Sequence, residues 1–127
     1  VSERADALPA VLADVAGVAE GESAFVDGPA LWANGKEILH RDSGGHYDVR
    51  LTRAVIRDLR PRLRADGHVR LRRSGSDWVE VDAEGREGEL LLAELVALAA
   101  RAHQPPPGAT ALPPPDAAGL ARRRRFH

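Results

Sequence analysis

Apolar and polar positions alternate along this chain with two different periods, and the changes between them divide it into elements. Leu8, Val11, Leu12 and Val15 follow the i, i+3, i+4, i+7 stripe of an amphipathic helix, with Pro9 in its first turn and Gly17 closing it. A weak extended stretch at Ser23 to Val26 precedes a clearer strand at Ala30 to Ala33. Asn34-Gly35 is then the two-residue signal for a tight hairpin. Glu37 to Asp42 and Tyr47 to Leu51 alternate with period two around Ser43-Gly44-Gly45-His46, which predicts a second hairpin. With those four residues as the loop, Asp42 opposes Tyr47, His40 opposes Val49, and Ile38 opposes Leu51. One face then holds Ile38, His40, Val49 and Leu51, with Asp42 and Tyr47 at its end. The other sets Arg41 against Asp48 and Leu39 against Arg50.

Thr52 is placed to cap a helix that buries Ile56, Leu59 and Leu63, with Pro61 expected to kink or divide it and Asp66-Gly67 ending it. Val69 to Arg73 and Asp77 to Val81 flank the glycine-centred loop Ser74-Gly75-Ser76. That predicts a third hairpin pairing Val69 with Val81, Arg70 with Glu80, Leu71 with Val79 and Arg72 with Trp78. The last helix runs from about Glu87 to Ala102 on Leu91, Leu92, Leu95, Val96, Leu98 and Ala99. Its order of helix, strands, helix, hairpin and helix predicts an α+β domain over residues 1–103, a mainly antiparallel sheet with helices packed on one face. Residues 104–127 hold two Pro-Pro-Pro runs and end in Arg122–Arg125 and Phe126-His127. They are read as a disordered, Pro-rich tail.

At 127 residues there is room for one domain, and 43% hydrophobic residues supply a core. Lys and Arg total 18 against 19 Asp and Glu, which excludes a globally basic nucleic-acid binder. All the basic residues but Lys36 are Arg, a bias that a GC-rich coding sequence produces by itself. The charge is segregated: residues 50–73 carry 9 basic and 2 acidic groups, whereas residues 1–49 carry 3 and 9 and residues 74–103 carry 2 and 7. The acidic flanks are therefore read as partners of the basic centre. No cysteine is present, so disulfides, zinc fingers and thiol nucleophiles drop out. No apolar run approaches the ~20 residues of a membrane span and no apolar leader is visible, so the expected setting is cytoplasmic.

His40-Arg41-Asp42 is the local feature richest in chemistry, because residues i and i+2 of a strand point the same way. A metal would need a third ligand from His46, His68 or His103, and none has a compelling approach, so no metal is expected. An imidazole on an aliphatic face would have a perturbed pKa, oriented by Asp42 or Tyr47 for work as a base or polariser; the plainer alternative is a core histidine with satisfied hydrogen bonds. Trp32 and Trp78 would line the pocket, and Arg72 across from Trp78 would make a cation–π contact. The rival readings are polyanion or nucleic-acid binding through Arg53, Arg57, Arg60, Arg62 and Arg64, and capture of a partner protein by the Pro-rich tail.

Gly28-Pro29-Ala30-Leu31-Trp32, Gly35-Lys36-Glu37-Ile38-Leu39-His40-Arg41-Asp42, Asp48-Val49-Arg50-Leu51-Thr52 and Arg73-Ser74-Gly75-Ser76-Asp77-Trp78-Val79-Glu80-Val81 together resemble the luciferase-domain family over about residues 23–103. Its small bacterial members have no defined activity, and it takes its name from the fungal bioluminescence enzymes. The resemblance implies small-molecule binding and cofactor-independent oxygenase chemistry on an electron-rich hydroxypyrone, an enol or phenol. Glu37, His40, Asp42 and Trp78 are the positions that would inherit a role. The family enzymes' long N-terminal region and membrane anchor have no counterpart in these 127 residues, so light emission is not expected of them. A small-molecule ligand is thus expected in preference to nucleic acid, with no cofactor, and the oligomeric state stays open.

Overall fold

The computed structural model describes residues 7–125. Six strands form one antiparallel sheet: β1 (Ala19–Glu22), β2 (Pro29–Ala33), β3 (Lys36–Arg41), β4 (Tyr47–Arg50), β5 (Val69–Leu71) and β6 (Trp78–Val81), in the order β1-β2-β3-β4-β6-β5. Among the described residues three α-helices accompany it: α1 (Arg53–Ala65), α2 (Gly85–Ala102) and α3 (Ala117–Arg125). The architecture is α+β with an antiparallel sheet. Among the described residues, no helix is long and apolar enough to cross a membrane.

One face of the sheet carries the main core. Leu31, Ile38, Leu39, Val49, Val79 and Val81 meet Ile56 and Leu63 of α1 and Leu92, Leu95, Val96 and Ala99 of α2 there. The opposite face is polar and aromatic over β3, β4 and β6. Near β2 it is closed by a small apolar cluster of Ala24, Ala30, Trp32 and Leu120. Leu120 belongs to α3, so helices lie on both faces and not on one as expected.

The tight turns follow the sequence closely. Asn34 and Gly35 both take positive φ, 48° and 75°, as a two-residue hairpin requires. The third hairpin pairs Val69 with Val81, Arg70 with Glu80 and Leu71 with Val79. The Thr52 hydroxyl accepts the Val55 N–H at 3.3 Å and caps α1, which runs through Pro61 as one helix.

Several expected elements differ. The Leu8–Val15 stripe packs on the core, but only Ala10–Leu12 is helical, as a single 3-10 turn. So short an amphipathic segment cannot repay helix nucleation. Ser23 to Val26 is a turn, because the Ser23 hydroxyl accepts the N–H groups of Phe25 and Val26, both at 3.0 Å. The strand lies earlier, in Ala19–Glu22, whose Ala-Glu-Gly-Glu sequence has little strand propensity. Residues after Gln104, expected to be disordered, are laid along the sheet. The Leu112 N–H donates to Asn34 Oδ1 at 2.9 Å, and Leu120 is buried.

The correction with the largest consequence is in the second hairpin. Leu39 pairs with Val49, His40 with Asp48 and Arg41 with Tyr47, one residue away from the expected register. Asp42 is in the turn, where its Oδ1 accepts the N–H groups of Gly44 (2.9 Å) and His46 (3.0 Å). A one-residue slip moves every side chain to the other face. His40 therefore leaves the aliphatic face, and Arg50 opposes Trp78 of β6. Ile38 stays in the core because β3 bulges: the β2 register shifts between Leu31 and Trp32, so Leu31 faces Leu39 while Trp32 faces Glu37.

Candidate functional site

That bulge decides the chemistry of the polar face. With an extra residue between them, Glu37 and His40 point to the same side of β3, and β4 adds Asp48 beside them. His40 Nδ1 lies 2.9 Å from Glu37 Oε2, and Nε2 lies 2.9 Å from Asp48 Oδ2. All three side chains are buried. Each carboxylate is anchored in turn. Glu37 accepts the Ser23 hydroxyl at 2.5 Å and the Ala24 N–H at 2.7 Å, and Asp48 accepts Arg72 Nη2 at 2.6 Å.

Two acceptors on two ring nitrogens require both nitrogens to donate, which is the protonated imidazolium. Burial works against that charge, but the hydrogen bonds and charges of Asp48 and Glu37 outweigh it and push the His40 pKa up to about 9. Burial likewise works to raise the Asp48 carboxyl, yet His40 and then Arg72 hold it below the usual carboxylate range. His40 is therefore a fixed positive charge at neutral pH. It has no free lone pair with which to act as a base.

Aromatic rings close over this charge. Phe25 stacks on the imidazole with ring centroids 5.4 Å apart and planes inclined 27°, and Trp78 lies 5.0 Å from the same ring. Phe25 and Trp78 meet edge to face at 5.4 Å. Phe25 is 37% exposed, so the ledge opens to solvent. It borders a cleft of about 560 Å³ lined by Ala24, Phe25, Val26, Asp27 and Arg124. Arg50 completes the ledge, its guanidinium carbon 4.7 Å from the Trp78 centroid.

Of the residues singled out from sequence, Glu37, His40 and Trp78 come together here. Asp42 does not orient His40; Asp48 and Glu37 do. Asp42, Asp48 and Glu80 bring carboxylate oxygens within 4.8 Å of one another, but Asp48 is already matched by His40 and Arg72. Tyr47 is on the core face, where burial raises its hydroxyl pKa. Trp32 donates to the Glu22 carbonyl at 3.1 Å and lies under Arg123, away from the His40 ledge. The expected contact of Arg72 with Trp78 is replaced: Arg50 covers that ring, and Arg72 holds Asp48. Ser23, Phe25, Asp48, Arg50 and Arg72 were not singled out from sequence as site residues; Asp48 and Arg50 were expected on the face away from Val49, and it is the phase of β3 that brings His40 to them.

Among the described residues, four of the nine arginines in residues 50–73 pair with carboxylates, Arg72 with Asp48 among them. Arg62 pairs with Glu94 at 2.6 Å, Arg70 with Glu80 at 3.8 Å, and Arg57 with Asp58 at 3.3 Å. His68 turns to Asp66 at 3.1 Å, and His103 Nδ1 lies 2.8 Å from the Ala99 carbonyl. No protein-family model, curated protein or solved structure matches the chain.

Proposed function

We propose that this protein binds a small planar enol or phenol on the ledge formed by Phe25 and Trp78, in keeping with its resemblance to the luciferase-domain family. The observation that carries this reading is a half-open aromatic ring stacked on a buried imidazolium. Phe25 gives a flat, electron-rich ligand a surface for stacking, and the positive charges of His40 and Arg50 favour its ionised form. Glu37 and Asp48 act as positioning residues that keep the imidazole protonated. His40 is then a polariser and not a base, since both its nitrogens already donate. Stabilising an enolate or phenolate is the step that would prepare an electron-rich substrate for direct attack by dioxygen, which is how oxygenase chemistry without a cofactor would start here.

Calorimetric titration of the full chain with phenol tests the binding. Saturable binding is expected, weakened at least about five-fold by Phe25→Ala, because base- or ligand-stacking on one ring is worth on the order of 1 kcal/mol or more. Heat that never saturates, or an affinity indifferent to F25A, would overturn the assignment.

A further inference from the structure

Arg50 differs from the other cations of this face in having no oxygen to hold. Arg72 reaches Asp48, Arg123 Nη1 donates to the Gly35 carbonyl at 2.9 Å, and Arg124 Nη2 donates to the Ser23 carbonyl at 2.7 Å. Among the described residues no carboxylate comes within ion-pair distance of Arg50, and its Nε is buried with no acceptor. Its guanidinium carbon sits 4.7 Å from the Trp78 centroid and 5.8 Å from that of Phe25. Burial pulls its pKa below the usual arginine value; Asp77 and Glu37 act from a distance to raise it, while Arg123 lowers it further. A buried donor without an acceptor and a cation without a counter-ion are both costly, and one ligand group would relieve both.

We propose that Arg50 anchors a carboxylate carried by the planar ligand, so that the substrate class is a hydroxy-aromatic or enolic acid. This rests on the ledge at Phe25 and Trp78 being the binding site. Trp78 and Phe25 lie against the faces of the guanidinium, and a carboxylate meets a guanidinium along its in-plane N–H groups with two parallel hydrogen bonds. A ligand lying on Phe25 with its carboxylate in the ring plane satisfies the stacking and the fork together.

The test compares phenol with para-hydroxybenzoate by calorimetry on the full chain, with thermal melts confirming that each variant is folded. The unmodified protein is expected to bind para-hydroxybenzoate at least about ten-fold more tightly, as a charge-assisted pair implies. Arg50→Gln should bring the two ligands within about two-fold of each other, weakening para-hydroxybenzoate at least about five-fold more than phenol. Should R50Q not fold, Arg50→Lys carries the test, since a point charge without the fork should lose at least about three-fold of the preference. A preference that is absent in the unmodified protein, or that survives these substitutions, overturns the role of Arg50 alone. If neither compound binds, the ledge itself is not the site and both readings fall.

Discussion

His40 shows how a residue's immediate partners set its chemistry. A lone imidazole among methyl groups would lose its proton easily; this one, between Glu37 and Asp48, is hard to deprotonate. Its pKa of about 9 stands above the ordinary histidine value of 6.5. The stability it contributes is therefore fully present below about pH 6.5 and is lost as the pH rises through 9. At about 1.4 kcal/mol per pKa unit, the contribution is roughly 3 kcal/mol. Asp48 works in the other direction: held below its ordinary value, it contributes above that value and loses its contribution as the pH falls. Imidazole chemical shifts followed by NMR should show one histidine titrating near 9, and urea denaturation should show stability falling between pH 7 and 10 by more in the unmodified protein than in His40→Gln. Titration of every described histidine near pH 6.5, with parallel stability profiles for the two proteins, would contradict the buried imidazolium.

The elements show why part of this fold was legible and part was not. The third hairpin was readable because three loop residues with a central glycine leave one natural register. The second hairpin was not, because the side chain of Asp42 accepts two backbone N–H groups and draws that residue out of the strand. The β3 bulge is equally hidden, since nothing in Glu37-Ile38-Leu39-His40 marks an extra residue. Ile38 and Leu39 both reach the core only because of it. The candidate site therefore had its histidine and one tryptophan identified, with His40 assigned to the wrong face and both residues assigned the wrong partners. Helix α2 was foreseen from its wide apolar face, but the packing of its first turn on the connection from β6 depends on Gly88. A Cβ there would meet the Asp82 carbonyl oxygen and the Ala83 carbonyl carbon at 2.8 Å each, both backbone atoms that cannot swing aside. Gly88→Ala should therefore destabilise the protein by about 1–2 kcal/mol, since overpacking outweighs the roughly 1 kcal/mol that alanine gains in a helix. Gly67→Ala, which meets nothing within 4 Å, is the control. A rise in melting temperature for G88A would show that the helix has room to move.

For the molecule as a whole, the main core and the cover over Trp32 are separable. Every strand except β1 places a residue in or against the main cluster with α1 and α2, and Leu120 is not part of it. What the C-terminal segment adds is a lid with little apolar burial: Leu120 in the cluster with Trp32, Pro114 against Gly21, Arg123 with its guanidinium carbon 5.4 Å from the Trp32 centroid, and hydrogen bonds from Leu112, Arg123 and Arg124 to Asn34, Gly35 and Ser23. Composition suggested disorder, and composition alone is a fair guide to how little this segment can bury. It could not show that Trp32, only 2% exposed, provides an apolar seat for one leucine. Burying a leucine is worth roughly 1.5–3 kcal/mol, and fixing the backbone of a long segment costs about 1–2 kcal/mol per residue, so the net gain from this cover is small. Removing residues 112–127 should leave the main core folded and lower the melting temperature by only a few degrees. Trp32 loses its cover in that variant, so the tryptophan emission should shift to the red and become more open to quenching by iodide. An unchanged emission spectrum would mean that Trp32 is sealed by the sheet itself. Loss of cooperative unfolding would mean instead that the segment is part of the domain's core.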